Sequence, residues 1–94
     1  MTKVGEHITL DIIGTVSNEY DPSLFEKVIQ DIAKAAKVTI LNISKYKFEP
    51  QGFTILALLA ESHISFHTFP EKGMISFDFF TCGKISPSIA INII

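Results

Sequence analysis

The sequence lacks several features that define whole classes of protein. It contains a single cysteine, so an internal disulfide framework is excluded. No apolar run reaches the ~18 residues that a membrane-spanning helix needs, and no basic segment with a cleavage site opens the chain. We therefore expect a cytoplasmic protein that has no membrane partner.

Clustered positive charge is also missing. The eight basic residues are spread along the chain, and the formal net charge is −2. A surface that binds nucleic acid normally gathers its basic residues on one face. The distribution therefore argues against nucleic acid as a main partner.

Apolar residues, in contrast, are abundant. They make up 47% of the 94 residues, charged residues make up only 19%, and the mean hydropathy is +0.33. A domain of this size buries a modest share of its surface, so the proportion is high for a monomer with one solvent-facing sheet face. We expect a second face to be buried against a partner, most simply in a homodimer.

The hydrophobic periodicity predicts both strands and helices. Alternating polarity in residues 5–13 indicates a half-buried strand. Asp21 and Pro22 are typical of a helix start, and the apolar stripe that follows predicts an amphipathic helix over about 22–37. The other predicted elements are strands at about 38–48, 53–60, 63–69 and 74–82 and a second helix beginning at Ser86-Pro87.

Together these elements predict one α+β domain over residues 1–94. We expect a two-layer sandwich with a largely antiparallel sheet, helices on one face, and the other face used in a dimer or an active site. Residues 53–60 are apolar on both faces, which favours a central buried strand. The last six residues offer no helix C-cap, so the domain is expected to be C-terminally incomplete.

The hairpin around residues 70–73 predicts which side chains meet. A turn of this length pairs residues whose numbers sum to about 143, which places Cys82 opposite Glu61, beside the Glu61–Ser62 bond. His67 lies on the same strand about 16 Å from Ser62. Either a bend in the strand or a second protomer can bring His67 to that bond, and we favour the dimer. One face of the hairpin carries the polar residues His63, Ser65, His67, Ser76, Asp78 and Cys82, and the other carries Ile64, Phe66, Ile75, Phe77 and Phe79.

Several motifs resemble one known family. Residues 60–71 read AESHISFHTFPE, and residues 77–83 read FDFFTCG. Upstream, residues 5–7 read GEH and residues 48–54 read FEPQGFT. The set resembles the short prokaryotic S-adenosylmethionine (AdoMet) decarboxylases, which are pyruvoyl-dependent proenzymes, and the resemblance covers nearly the whole chain.

The resemblance implies self-cleavage between Glu61 and Ser62. Residues 1–61 would become the β chain and residues 62–94 the α chain, whose N-terminal Ser62 becomes a covalent pyruvoyl cofactor. That group forms a Schiff base with the small-molecule substrate and serves as an electron sink while CO2 leaves. The expected function is decarboxylation of AdoMet for spermidine and other polyamine synthesis.

The resemblance also implies roles for individual residues. His67 assists proton removal during processing, and Cys82 returns a proton to Cα after decarboxylation. Phe48 matches an aromatic residue that stacks on adenine, and Glu71 matches a residue that accepts hydrogen bonds from ribose hydroxyls. Thr54 occupies the position of a hydroxyl residue near the cleavage site. The family builds its sites between two protomers, in agreement with the distance between His67 and Ser62.

Alternatives remain open at the level of the sequence. The family usually has HTWPEYG where this chain has Phe69 and Lys72, and some relatives use ornithine or arginine, so either amino acid is an alternative substrate. A non-catalytic α/β dimerisation module that never processes itself is the alternative of another class. Mass spectrometry of the intact protein separates these classes.

No metal site is predicted. His7 and Asp11 share a strand face, but the three histidines have neither HxH nor HxxxH spacing. Asp78 has no role implied by the resemblance and is expected to pair with Ser65 or His63.

Overall fold

The computed structural model describes residues 5–14, 21–82 and 85–93. Its regular elements, in chain order, are β1 (Glu6–Ile13), α1 (Pro22–Ala36), β2 (Ile40–Lys47), β3 (Phe53–Leu59), β4 (Ser62–Phe69), a 3-10 turn (Pro70–Lys72), β5 (Met74–Thr81) and a 3-10 helix (Pro87–Asn92). Their bounds agree with the predicted elements to within two residues. The second predicted helix begins where expected but is a 3-10 helix rather than an α-helix.

The strands form one antiparallel sheet in the order β1-β5-β4-β3-β2. Helix α1 and the 3-10 helix contribute to the same apolar core as the strands. This arrangement is the predicted α+β sandwich with helices on one face of a sheet. Among the described residues, no helix is both long and apolar enough to cross a membrane.

Helix α1 has the two ends that its sequence predicts. The Asp21 carboxylate accepts hydrogen bonds from the Ser23 N–H at 3.0 Å and the Ser23 hydroxyl at 2.7 Å, and Pro22 occupies the first turn. Lys37 ends the helix in the left-handed region at φ 58°, where its N–H bonds to the Lys34 carbonyl. The side chains of α1 that are buried against the sheet are Phe25, Ile29, Ile32, Ala33 and Ala36.

The sheet has a helix-covered face and an open face. Its alternating pattern buries Ile64, Phe77 and Phe79 on the helix-covered face, as the hairpin register predicted. The open face is mostly polar on β1, β4 and β5, and β3 contributes the apolar Leu56 and Leu58 to it. The residues of the open face include His7, Thr9, Asp11, His63, Ser65, His67, Ser76, Asp78, Thr54, Leu56 and Leu58.

One sequence interpretation of β3 is wrong. The strand was expected to be buried on both faces, but only Phe53, Ile55, Ala57 and Leu59 are buried. Leu56 and Leu58 lie on the open face and are 47% and 53% exposed. Periodicity distinguishes the two faces of a strand only when one of them is polar, and both faces of β3 are apolar.

The hairpin register between β4 and β5 is confirmed. Phe69 pairs with Met74, His67 with Ser76 and Ser65 with Asp78 across the turn. Gly73 closes that turn at φ 60°. The paired ladder ends at Ser62 and Thr81, so the expected Glu61–Cys82 pair lies one step beyond it.

Candidate active site

A cavity of about 300 Å³ opens at the end of the sheet where the β2–β3 and β4–β5 connections meet. Four of the residues singled out in the sequence lie in it, although they come from two separate segments, 48–54 and 67–71. The cavity is lined by Phe48, Gln51, Thr54, His67, Thr68, Phe69 and Glu71.

Two turns bring these segments together. Thr54 and His67 are directly paired across β3 and β4, close to the ends of those strands. The β2–β3 turn is closed by a 2.8 Å hydrogen bond from the Phe48 N–H to the Gly52 carbonyl. Gly52 has φ 92°, and a Cβ there would lie 3.0 Å from the Thr68 carbonyl oxygen, so the turn needs glycine.

His67 is held at its Nδ1 atom. A hydrogen bond of 2.9 Å links that nitrogen to the Thr54 hydroxyl across the strand pair. The contact fixes the orientation of the ring. Nε2 is then the nitrogen through which His67 can exchange a proton with a ligand in the cavity.

Glu71 is held by a residue that the sequence analysis missed. The Gln51 side-chain amide donates a hydrogen bond of 3.3 Å to Glu71 Oε2, joining the two turns. Gln51 lies in the Pro50-Gln51-Gly52 turn and in the FEPQGFT motif, neither of which assigns a role to its side chain. A carboxylate fixed in this way can accept hydrogen bonds from hydroxyl groups of a ligand.

Aromatic rings form part of the rim. Phe48 is 47% exposed and packs against Tyr46, with ring centroids 4.9 Å apart. Lys72 places its Nζ 5.7 Å from the centroid of the Phe69 ring. The cavity therefore combines exposed aromatic surface, one carboxylate and one imidazole, which suits a ligand that has both an aromatic part and hydroxyl groups.

Ser62 lies at the far end of β4 from this cavity. Its side chain is buried on the helix-covered side, and its hydroxyl donates to Thr81 Oγ1 at 3.1 Å. His67 is on the open face about 16 Å along the same strand. Thr81 was missed, although the predicted register places it directly opposite Ser62.

The peptide before Ser62 has an unusual backbone. Glu61 has φ 60°, in the left-handed region, and lies in the tight turn between β3 and β4. Such a conformation costs roughly 1–2 kcal/mol for a residue other than glycine. Cys82 follows Thr81 directly at the end of β5 and is exposed.

The predicted site residues thus form two groups. Phe48, Thr54, His67 and Glu71 share the cavity. Ser62 and Cys82 lie at the opposite end of the β4–β5 hairpin, on the last residue pair and one residue beyond it. Within one chain the two groups do not meet, and the described strand has no bend that would join them.

A third polar group lies on the open face around Asp78. Asp78 Oδ2 is 2.8 Å from His7 Nε2 and 3.1 Å from His63 Nε2, and the Ser65 hydroxyl donates to Oδ1. Burial raises the pKa of Asp78, but the hydrogen bonds from Ser65, His7 and His63 and the charge of His63 outweigh it and leave the pKa below its usual value.

The pairing expected for Asp78 is confirmed, whereas His7 and Asp11 do not pair. Instead, Asp11 accepts a 2.6 Å hydrogen bond from the Ser76 hydroxyl. A shallow cavity of about 360 Å³ next to Asp78 also reaches His67.

Comparisons with known proteins agree with these motifs. The family model described as S-adenosylmethionine decarboxylase matches residues 6–94. The chain is 48% identical over 81 residues to the S-adenosylmethionine decarboxylase proenzyme of Synechococcus sp. (strain WH7803), covering 85% of this chain and 63% of that protein. It is 43% identical over 86 residues to the proenzyme of the same name from Methanococcus maripaludis (strain C7), covering 89% and 70% of the two chains.

The fold also matches a solved structure, the crystal structure of the adenosylmethionine decarboxylase from Aquifex aeolicus VF5. The TM-score is 0.83 at 32% sequence identity, and the match covers 99% of this chain and 78% of that one. The chain therefore spans a little under two thirds to about four fifths of the length of these proteins.

Proposed function

The chain belongs to the S-adenosylmethionine decarboxylase family, and we propose that it is a self-cleaving proenzyme that releases the carboxylate of AdoMet as CO2. The observation that carries this proposal is the cavity in which Phe48, Thr54, His67 and Glu71 converge. The residues that line this cavity suit a nucleoside with a cationic side chain. The relatives are named for AdoMet, which favours that substrate over ornithine or arginine.

The proposed cleavage site is the Glu61–Ser62 bond. The Ser62 hydroxyl attacks the Glu61 carbonyl, so that an ester replaces the peptide bond, and elimination then separates residues 1–61 from residues 62–94. The left-handed backbone of Glu61 supports this position, because backbone strain often collects where a chain must react. Thr81 holds the Ser62 hydroxyl and must release it or relay its proton.

Elimination would leave residue 62 as a dehydroalanine, and hydrolysis of its imine form by one water, with release of ammonia, would give a pyruvoyl cofactor at the start of β4. The residues present fit such a group. Ser62 is the first residue of its strand, and cleavage before it leaves the hydrogen-bonded ladder from Ser62 to Phe69 intact. When formed, the pyruvoyl group supplies an electron sink for loss of CO2. Cys82, next along the hairpin end, is the proposed donor of the proton that Cα then receives.

The substrate is held by the cavity residues in this account. Phe48 stacks on adenine, and its exposed ring is available for that contact. Glu71 accepts hydrogen bonds from the ribose hydroxyls, with Gln51 holding its carboxylate. His67, held by Thr54, supplies an imidazole for proton transfer during processing and lines the substrate pocket.

A complete site then needs two protomers. The approximately 16 Å between Ser62 and His67, and their placement on opposite faces of the sheet, keep them apart in one chain. In a homodimer, Ser62 and Cys82 of one protomer meet Phe48, His67 and Glu71 of the other. The exposed apolar side chains Leu41, Tyr46, Leu56 and Leu58 are available for burial in such an assembly.

The substrate is tested by measuring CO2 release from carboxyl-labelled AdoMet, ornithine and arginine under identical conditions. We expect release from AdoMet alone, and none from the Ser62→Ala variant. Turnover of ornithine or arginine, with AdoMet inert, would contradict the proposed substrate while leaving the cleavage chemistry in place.

A further inference from the structure

Three side chains on the open face converge on one point, although they come from three strands. In the sheet order, β5 lies between β1 and β4, and His7 and His63 both pair in register with Phe80. Asp78 is two residues before Phe80 and points to the same face. Both imidazoles therefore reach one carboxylate from opposite sides.

The three ligand atoms have the spacing of a small metal site. One ring nitrogen of His7, one of His63 and a carboxylate oxygen of Asp78 all lie within 4.8 Å of one another. Asp78 Oδ2 is 2.8 Å from His7 Nε2 and 3.1 Å from His63 Nε2. Zinc bonds of about 2.0–2.2 Å in tetrahedral geometry place ligand atoms about 3.3–3.6 Å apart. Small rotations of the side chains would therefore admit an ion.

The surroundings of these ligands resemble a supporting shell. The buried Ser65 hydroxyl donates to Asp78 Oδ1, which leaves Oδ2 directed at the histidines. The Phe80 ring stacks on the His63 ring with their centroids 6.0 Å apart. It meets the His7 ring edge-on, with a centroid distance of 6.1 Å. Both rings are thus oriented by neighbours that are not themselves ligands.

Access and charge also suit a cation. The side chains of His7, His63 and Asp78 are 47%, 40% and 25% exposed, so an ion can enter from solution. Two imidazoles and one carboxylate are ligands that borderline first-row cations prefer, whereas magnesium and calcium prefer oxygen alone. One divalent ion could replace the two hydrogen bonds that now compete for Oδ2.

We propose that His7, His63 and Asp78 bind a divalent first-row transition cation, for which zinc is the representative ion, with water completing the coordination. The ion would tie the edge strand β1 to β5 and β4. None of the three residues has a role in the proposed cleavage or decarboxylation, so this site stands apart from that function. The histidine spacing gave no signal of it, because the ligands come together only across the sheet.

The test is a zinc titration of the full chain against a chromophoric chelator, with Cys82→Ser as the background to remove the thiol as a competing ligand. We expect one zinc ion per chain and an unfolding temperature that rises with zinc concentration. His7→Gln and His63→Gln should each abolish this binding, and Ser65→Ala should weaken it about 10- to 100-fold. Magnesium in excess should not displace the zinc.

His67→Gln is the matched control, because it removes the remaining histidine of the same open face. Its zinc affinity should equal that of the Cys82→Ser background, and circular dichroism should show native secondary structure in all variants. For any glutamine variant that fails to fold, cobalt titration of the background protein supplies the second readout, through the visible absorption of a histidine-bound ion. No zinc binding by the background, equal affinity in all histidine variants, or a loss confined to His67→Gln would each overturn the proposal.

Discussion

At the scale of single residues, Gln51 connects the two turns that form the candidate cavity. Its amide is 3.3 Å from Glu71 Oε2, and neither residue belongs to a strand. A carboxylate on an exposed turn would otherwise sample several rotamers. Gln51 is thus a positioning residue for Glu71, which in the proposed function is the group that contacts substrate.

Gln51→Ala should therefore raise KM for AdoMet about tenfold while changing kcat little, because the lost contact is to a charged group that binds substrate. Steady-state kinetics measure KM and kcat separately. In a Glu71→Gln background the Gln51 change should have a much smaller effect. A fall in kcat at unchanged KM would show that Gln51 acts on chemistry instead.

Contacts between side chains could be predicted from the sequence where the strand register determines which residues are neighbours. A turn at 70–73 and a period of two are enough to place His63, Ser65 and Asp78 on one face, and that placement is confirmed. Contacts between turns, such as Gln51 with Glu71, depend on loop geometry that no periodicity encodes. The approach of His7 to Asp78 depends on which strand lies beside β1, and the sequence left that order open.

At the scale of elements, the N-terminus of α1 should be sensitive to acid. The Ser23 side-chain hydrogen bond, followed by the Ser23 backbone hydrogen bond, holds the pKa of Asp21 below the ordinary value of 3.8. A depressed pKa in the folded state adds stability above the unfolded pKa, and this contribution is lost as the pH falls through the folded value.

We therefore expect the wild type to unfold at a higher midpoint urea concentration than Asp21→Ala. This difference in midpoint should be largest at neutral pH and should shrink below about pH 4. Asp21→Ser is the control, because its hydroxyl caps the helix at any pH and should lose less of its advantage in acid. A difference between the wild type and Asp21→Ala that does not change with pH would show that the charge of Asp21 does not contribute to stability.

The existence of each element followed from the sequence, but two properties did not. The exposure of one face of β3 could not be inferred, since Leu56 and Leu58 are as apolar as the buried residues beside them. The 3-10 geometry of Pro87–Asn92 also departs from the expected α-helix. Ser86 caps this helix as predicted, but a Ser-Pro start is compatible with both a 3-10 helix and an α-helix.

At the scale of the whole molecule, the candidate site residues lie at two opposite ends of the sheet. The cavity lies at the end of the β4–β5 hairpin near residues 69–73, and Ser62 and Cys82 lie at the other end. The proposed dimer resolves this separation by pairing opposite ends of two copies around a two-fold axis.

Co-expression of Cys82→Ala and His67→Ala chains tests that arrangement. Each variant alone should be nearly inactive, but a mixed dimer contains one complete site, so random assembly should restore about a quarter of wild-type activity. Co-expressed Cys82→Ala and Cys82→Ser chains should restore none, because neither supplies the thiol. No recovery in the first mixture would mean that each site lies within a single chain.

The proposed function depends on self-cleavage before Ser62, which intact-mass spectrometry of the freshly purified wild type and of Ser62→Ala detects. We expect two fragments from the wild type. One ends at Glu61, and the other begins at residue 62 and carries a carbonyl that cyanoborohydride traps with an amine. Ser62→Ala should remain one chain. A wild-type protein that stays one chain of 10.4 kDa after prolonged incubation and resists trapping would show that the chain does not cleave itself before Ser62.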